Sequence, residues 1–244
     1  MRAVPAGAYP RDVSHSAPMN GSHADAVDQT IRARHTVKVL ADGPAPARDR
    51  RALVEALVET AGWAPFHRPA AAGHRGVLPS PVPWRFYVLD AAACRALREA
   101  LGEAGSKVAG LLAAADALVQ VTWLPDPPAA DPAAGATAGA TAGATAGLFE
   151  PTLANMEHVA AAGAAVQNLL LAATAHGLPT FWSSGGGVLR SPDVFARLGI
   201  PAGETLLGSV FLFPEDTPVE ARGLSKLRQT RGPASDWSRW VRPG

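Results

Sequence analysis

The chain has 244 residues, enough for one substantial α/β domain, with 48% hydrophobic and only 18% charged residues. A formal net charge of +1 gives no electrostatic case for a nucleic-acid partner. One cysteine, Cys94, excludes an intrachain disulfide and a cysteine-cluster metal site, and a reducing cytoplasm is the expected home.

Residues 1–27 carry scattered Pro, Gly, His and Ser and lack the apolar stretch of a signal peptide, so a disordered leader is expected there. From Asp28 the character changes. Arg32, Arg34 and Lys38 bracket a hydroxyl at Thr36, and cations around a hydroxyl suit phosphate because each adds a charge-assisted bond. Ala47 to Ala61 reads as an amphipathic helix, with Leu53, Val54, Leu57, Val58 and Ala61 on the apolar side and Gly62 closing it. The 20 residues from Trp63 to Val82 exceed an ordinary connection. Trp63, Phe66, His67 and Arg68 favour function at its start, and the Gly/Pro/Ala run at 69–82 favours mobility.

Pro83 to Leu89 reads as a strand and Ala91 to Glu103 as a helix. A second helix is expected from Lys107 to Ala115, and another strand over Ala117 to Leu124. Residues 125–149 are a low-complexity insertion in which GATA recurs at Gly135, Gly139 and Gly143. A four-residue repeat of small residues offers no apolar face, and it is read as flexible. The longest helical pattern runs from Asn155 to His176, between five and six turns, with Gly177 at the C-terminal capping position and Pro179 beyond. Gly163, Gln167 and Asn168 interrupt its apolar run, so a core or subunit-interface helix is expected rather than a membrane span. A short apolar segment, Thr180 to Trp182, runs into Ser183-Ser184-Gly185-Gly186-Gly187. Ser191-Pro192-Asp193 caps a short helix, and Thr205 to Phe213 is a strand buried on both faces. The tail, extended from about 219, is basic and carries Trp237 and Trp240, which call for a surface to lie on.

Taken in order, these pieces resemble a nitroreductase-fold FMN-dependent oxidoreductase, most closely the small single-domain bacterial members. The likeness covers roughly 29–68, 83–124 and 150–240. Arg34-His35-Thr36-Val37-Lys38 is similar to the family's Arg-Arg/His-Ser-x-Arg/Lys, which implies that Arg34, Thr36 and Lys38 hold the FMN phosphate and ribityl chain. Ala64-Pro65-Phe66-His67-Arg68 followed by Pro83-Trp84-Arg85-Phe86 resembles the family's loop over the flavin and its Pro-Trp-x-Phe strand. Val82 stands where Gln is usual, the common flavin-contacting Asn is missing, and His67 and Arg68 are expected to replace those contacts. Phe181-Trp182-Ser183-Ser184-Gly185-Gly186 resembles the segment beside the flavin ring, and Ile200-Pro201 to Glu204 leads into the late strand. The terminal basic segment implies that Arg228 or Arg231 returns to the phosphate.

The resemblance implies an α+β fold: a mostly antiparallel central sheet flanked by helices, with the long helix at the interface of a homodimer. Residues 28–244 would form one FMN-binding domain. It implies ping-pong hydride transfer from NAD(P)H to a nitroaromatic or quinone-like acceptor, with Trp63 and Phe66 lining the substrate face and Trp182, Ser183, Ser184 and Gly185 beside the ring. No side chain need be catalytic, because flavin N5 carries the chemistry. The rival readings are a flavin-dependent dehydrogenase or oxidase of a biosynthetic substrate, and a non-reductase binder of FMN or another planar ligand.

Overall fold

The computed structural model describes residues 21–43, 48–76, 78–102, 106–126, 151–218, 222–225 and 227–243. Expectations for residues 1–20 and for most of the 125–149 insertion lie outside the described residues. The elements run α1 (Gly21–Ala33), β1 (Val37–Lys38), α2 (Arg51–Ala61), β2 (Trp84–Asp90), α3 (Ala91–Leu101), α4 (Lys107–Ala114) and β3 (Ala117–Trp123). There follow α5 (Leu153–Ala175), β4 (Thr180–Ser183), α6 (Gly186–Leu189), α7 (Pro192–Leu198), β5 (Thr205–Leu212) and β6 (Gly223–Leu224).

Four strands form one antiparallel sheet in the order β2-β3-β5-β4. β3 is buried along its whole length, as a central strand covered on both faces must be. Ala117, Val119 and Val121 pack with α2 and α5, while Leu118, one residue out of phase, packs with α3 and α4. The architecture is therefore the expected α+β sheet flanked by helices. The pairing of β3 with β5 shifts between Val121–Gly208 and Thr122–Leu206, so Leu207 is an extra, bulged residue.

α5 is the core helix. The Thr152 hydroxyl caps it by accepting from Asn155 N at 3.2 Å, and Gly177 takes φ +73° just past its end. Ala161, Ala162 and Ala165 let the helix approach Trp84 and Trp123, and Val166, Leu169, Leu170 and Ala173 meet Val54 and Leu57 of α2. The helix is long and apolar enough to cross a membrane by length and composition, but here it lies against α2 and the sheet.

Two expectations need correction. The leader does not extend to residue 27, because helix starts at Gly21; Ala24, Val27 and Ile31 recur at helical spacing, and α1 lies against α5. α2 begins at Arg51 rather than at Ala47, because Arg48 and Arg50 are engaged with Asp216 and Glu215.

The connection at 69–82 is hydrogen-bonded to β2 where it is described. Arg85, a β2 residue only 3% exposed, donates to the carbonyls of Val82 and Trp84, both at 2.7 Å, and to those of Leu78 and Ser80 at 2.8 and 3.0 Å. Among the described residues no carboxylate neutralises it by direct contact, and burial pulls its pKa down. Ala70 N donates to Pro81 O, and His74 Nδ1 donates to Pro125 O. Arg85→Met leaves those carbonyls without a donor and should cost about 2–3 kcal/mol. Denaturant melts and limited proteolysis check this: cutting within 69–82 is expected well before global unfolding, and an unchanged digest would refute the role.

Candidate functional site

Some of the residues expected around a flavin, those of β1 and of the segment Trp182–Gly185, lie along β4, an edge strand of the sheet. Thr36 forms a parallel bridge with Thr180, the first residue of β4, and β1 leads on from it. Lys38 is thereby placed two residues further toward the Trp182 end. On its other side β1 pairs with β6, Val37 facing Leu224 and Lys38 facing Gly223, and Ser225 N donates to Thr36 O at 3.4 Å. The antiparallel sense carries the tail back past Thr36 toward Arg34. Arg231 follows six residues after Ser225 and is exposed; the Arg228 side chain lies outside the described residues. Arg34 and Lys38 are half-buried beside Thr36.

β4 ends in a turn that only glycine can make. Gly185 and Gly186 have φ +89° and +57°. A Cβ on Gly185 would fall 2.7 Å from Leu206 Cδ2. The turn is fastened from behind by Arg190, whose Nε donates to Ser184 O and whose Nη1 donates to Leu206 O, both at 2.6 Å. Ser183 Oγ accepts from Gly185 N at 3.2 Å. The first N–H groups of α6 have no partner inside their own helix. Thr180 to Ser183 spans roughly 10 Å at strand rise. That is the scale of a ribityl chain with its phosphate, with Arg34 before one end and Lys38 level with Trp182, near the glycine turn at the other.

Trp182 is 41% exposed on this edge. Trp63 is 84% exposed, and Phe66 sets its edge on Trp84 with ring centroids 5.8 Å apart at 85°. The Ala64–Arg68 loop sits at the end of α2, and the described contacts do not join it to the β4 edge. Arg68 donates to Glu157 at 3.2 Å, which ties this loop to α5, and His67 is exposed.

Several buried polar groups support this frame and were not singled out as site residues. Glu204 accepts from Tyr87 Oη at 2.8 Å and from the Thr122 hydroxyl, and burial together with that acid raises the Tyr87 pKa. Ser209 Oγ donates to Gln120 Oε1 at 2.5 Å. His158 Nδ1 donates to Leu124 O at 2.7 Å, and Asn155 accepts from Asp126 N, so both join the start of α5 to the end of β3. Cys94 is buried, which pushes its thiol up to about 12 and leaves it unreactive. Among the described residues no group of three or more His, Cys, Asp or Glu is placed to hold a metal.

The sequence matches the model of the nitroreductase family over residues 31–212. Solved structures share the fold. A nitroreductase-like family protein of Bacillus cereus aligns with TM-score 0.56 at 18% identity, covering 89% of this chain and 96% of that one. Nitroreductase CinD of Lactococcus lactis, solved with nicotinic acid, aligns with TM-score 0.55 at 14% identity over 88% and 99%. A Desulfovibrio desulfuricans protein described as a nitroreductase, crystallised with FMN, aligns with TM-score 0.50 at 22% identity over 89% and 98%. No curated protein matches. The chain belongs to the nitroreductase family.

Proposed function

We propose that this member of the nitroreductase family is an FMN-dependent oxidoreductase that takes hydride from NAD(P)H and passes it to an electron-poor aromatic or quinone-like acceptor. The observation that carries this reading is the β6-β1-β4 arrangement. It sets Arg34, Thr36 and Lys38 along the same edge as the glycine turn at Ser183–Gly186. FMN would supply the redox chemistry at N5. This chain would supply charge for the phosphate from Arg34, Lys38 and the returning Arg228 or Arg231, and backbone donors at 183–186 for the ring edge. Trp182 would border the ring, and Trp63 and Phe66 the substrate face. FMN in the Desulfovibrio relative supports the cofactor.

The test is an anaerobic absorbance titration of the purified protein with NADPH and NADH, following the flavin band. Prompt bleaching is the expected result. Bound flavin that neither nucleotide reduces would favour the second reading, in which an organic substrate is the reductant or the site only binds. The Val82 substitution and the engagement of Arg68 with Glu157 are the observations that favour it.

We also place a homodimer interface on α5. Its outward face runs Met156, Ala160, Gly163, Gln167 and Leu171 at helical spacing, half-buried or exposed in one protomer and mostly small or apolar. A Cβ on Gly163 would meet nothing within 4 Å in the protomer. Gly163→Leu should therefore leave the protomer fold intact and convert dimer to monomer. Sedimentation velocity decides: a variant that stays as dimeric as the parent would remove α5 from the interface. With α1 included, the chain from Gly21 onward is taken as one domain, and the lone buried thiol suits a reducing cytoplasm.

A further inference from the structure

A cavity lies on the β2–β3 side of the sheet, away from the β4 edge. It has a volume of about 460 Å³ and opens between α2 and the β2–β3 pair. Val54 and Val58 of α2, Val88 of β2 and Ala117 of β3 form its apolar part, and Arg50, Arg51, Glu55, Glu59 and Asp90 also line it. At its end stands Asp116, the residue before β3, whose side chain is only 5% exposed. Ala117 pairs with Leu212 and Leu212 with Thr180, so two strand spacings, roughly 10 Å, separate the near wall of this cavity from the β4 edge.

Asp116 belongs to a charge cluster that does not balance. Two guanidiniums, Arg48 and Arg50, face three carboxylates, Asp116, Glu215 and Asp216. Arg48 donates to Asp216 at 2.7 Å, and Arg50 Nη2 donates to Glu215. Those hydrogen bonds hold both exposed acids below their ordinary range. Asp116 receives only the 3.5 Å approach of Arg50 Nε, and neither its Oδ2 nor that Nε has a hydrogen bond. Burial raises the Asp116 pKa, although both arginines pull the other way. The most buried acid of the cluster is thus the one served worst, and a buried carboxylate oxygen without a donor is costly. An acid placed only to anchor Arg50 would take its hydrogen bond.

The rim adds to the negative balance. Arg51 is paired with Glu55 at 2.8 Å, while Glu59 brings a further carboxylate to the cavity. An anion would meet repulsion here, and a neutral apolar molecule would leave Asp116 unserved. We propose that the cavity binds a small organic ammonium ion, with its apolar body between Val54, Val58 and Val88 and its charged N–H groups on Asp116. The volume is within the range of small-molecule sites, and one oriented polar group in an apolar pocket is their common design.

Cyclohexylammonium is the probe, because it cannot stack on a flavin. Calorimetric titration of the full-length protein, with whatever flavin it carries, should show saturable binding in the millimolar range. Cyclohexanol and cyclohexanecarboxylate should bind at least tenfold more weakly. Asp116→Asn should weaken the ammonium at least tenfold. Val88→Trp, at a half-exposed wall residue, should plug the cavity with the same effect and an unchanged circular dichroism spectrum. Should the Asp116 variant fail to fold, the Val88 variant decides alone. Absence of saturable binding to the parent protein, equal binding of cyclohexanol, or undiminished binding to either folded variant overturns the proposal.

Discussion

Replacing Arg34 and Lys38 together by alanine is expected to yield a folded protein that no longer retains FMN. Both cations flank Thr36, which is bridged to the start of β4. A hydrogen bond to a charged group is worth about 1.5–3 kcal/mol when the partner is left buried or poorly solvated. Losing two around one phosphate, with some compensation from the tail, should weaken FMN by about two to three orders of magnitude. The measurement is a fluorescence titration of flavin-free protein with FMN and, in parallel, with riboflavin. The parent should prefer FMN strongly, and the variant should bind both ligands with similar, weak affinity. That convergence separates loss of a phosphate contact from general damage, which would weaken both ligands alike and leave their ratio intact. A variant that keeps its preference for FMN would move the phosphate away from β1. Salt supplies a second check, because contacts made by exposed cations weaken as ionic strength rises.

What the sequence made legible follows from local rules. Aromatic and β-branched content and near-continuous apolar runs located β2, β3 and β5, and a helical pattern located α5, to within a few residues, and Gly177 and Ser191 marked ends where capping geometry indeed occurs. The expected phosphate residues could be ordered along the chain, but their meeting with β4 could not be read. That meeting depends on the parallel bridge of Thr36 with Thr180 and on β6 pairing with β1 from the far end of the chain, Val37 with Leu224 and Lys38 with Gly223. Long-range pairing of two-residue strands leaves no periodic trace. Arg85 was hidden for a different reason. In Pro-Trp-Arg-Phe it occupied a variable position of a recognised pattern, yet an arginine inside an apolar strand has to find acceptors, and here it finds the carbonyls of the 69–82 loop. Asp116 was passed over because one acid before a strand looks like a turn residue. Only the placement of Arg48, Arg50, Glu215 and Asp216 shows that it is left without a donor.

Gly208→Ala is expected to have the largest effect of any single methyl group added to this protein. Gly208 stands within the apolar run Thr205 to Phe213; a glycine inside a strand marks a bulge or a close approach, and both occur here. Gly208 follows the bulged Leu207, and the Trp182 indole of β4 lies directly over it. A Cβ at this position would collide with Trp182 Nε1 and stand 2.7 Å from Ser183 O, well inside contact distance. The indole has an exposed side toward which it can swing, but Ser183 O is a backbone atom at the end of the β4–β5 ladder. Relief therefore requires the end of β4 to lift from β5. Overpacking of this kind costs about 1–3 kcal/mol and more when backbone must move, so a loss of about 3 kcal/mol is expected. For a domain of this size that corresponds to roughly 6–12 °C in Tm. The same displacement shifts Trp182, Ser183 and the Gly185 turn, all placed beside the flavin ring. FMN affinity should consequently fall at temperatures where the variant is still fully folded. Gly43→Ala, where a Cβ would meet nothing within 4 Å, serves as the control and should change neither quantity. A Gly208 variant with lowered Tm but parental FMN binding would leave the packing argument standing and remove the β4 end from the cofactor site. A variant with parental Tm would show that Trp182 can vacate the space over β5 without carrying the strand with it.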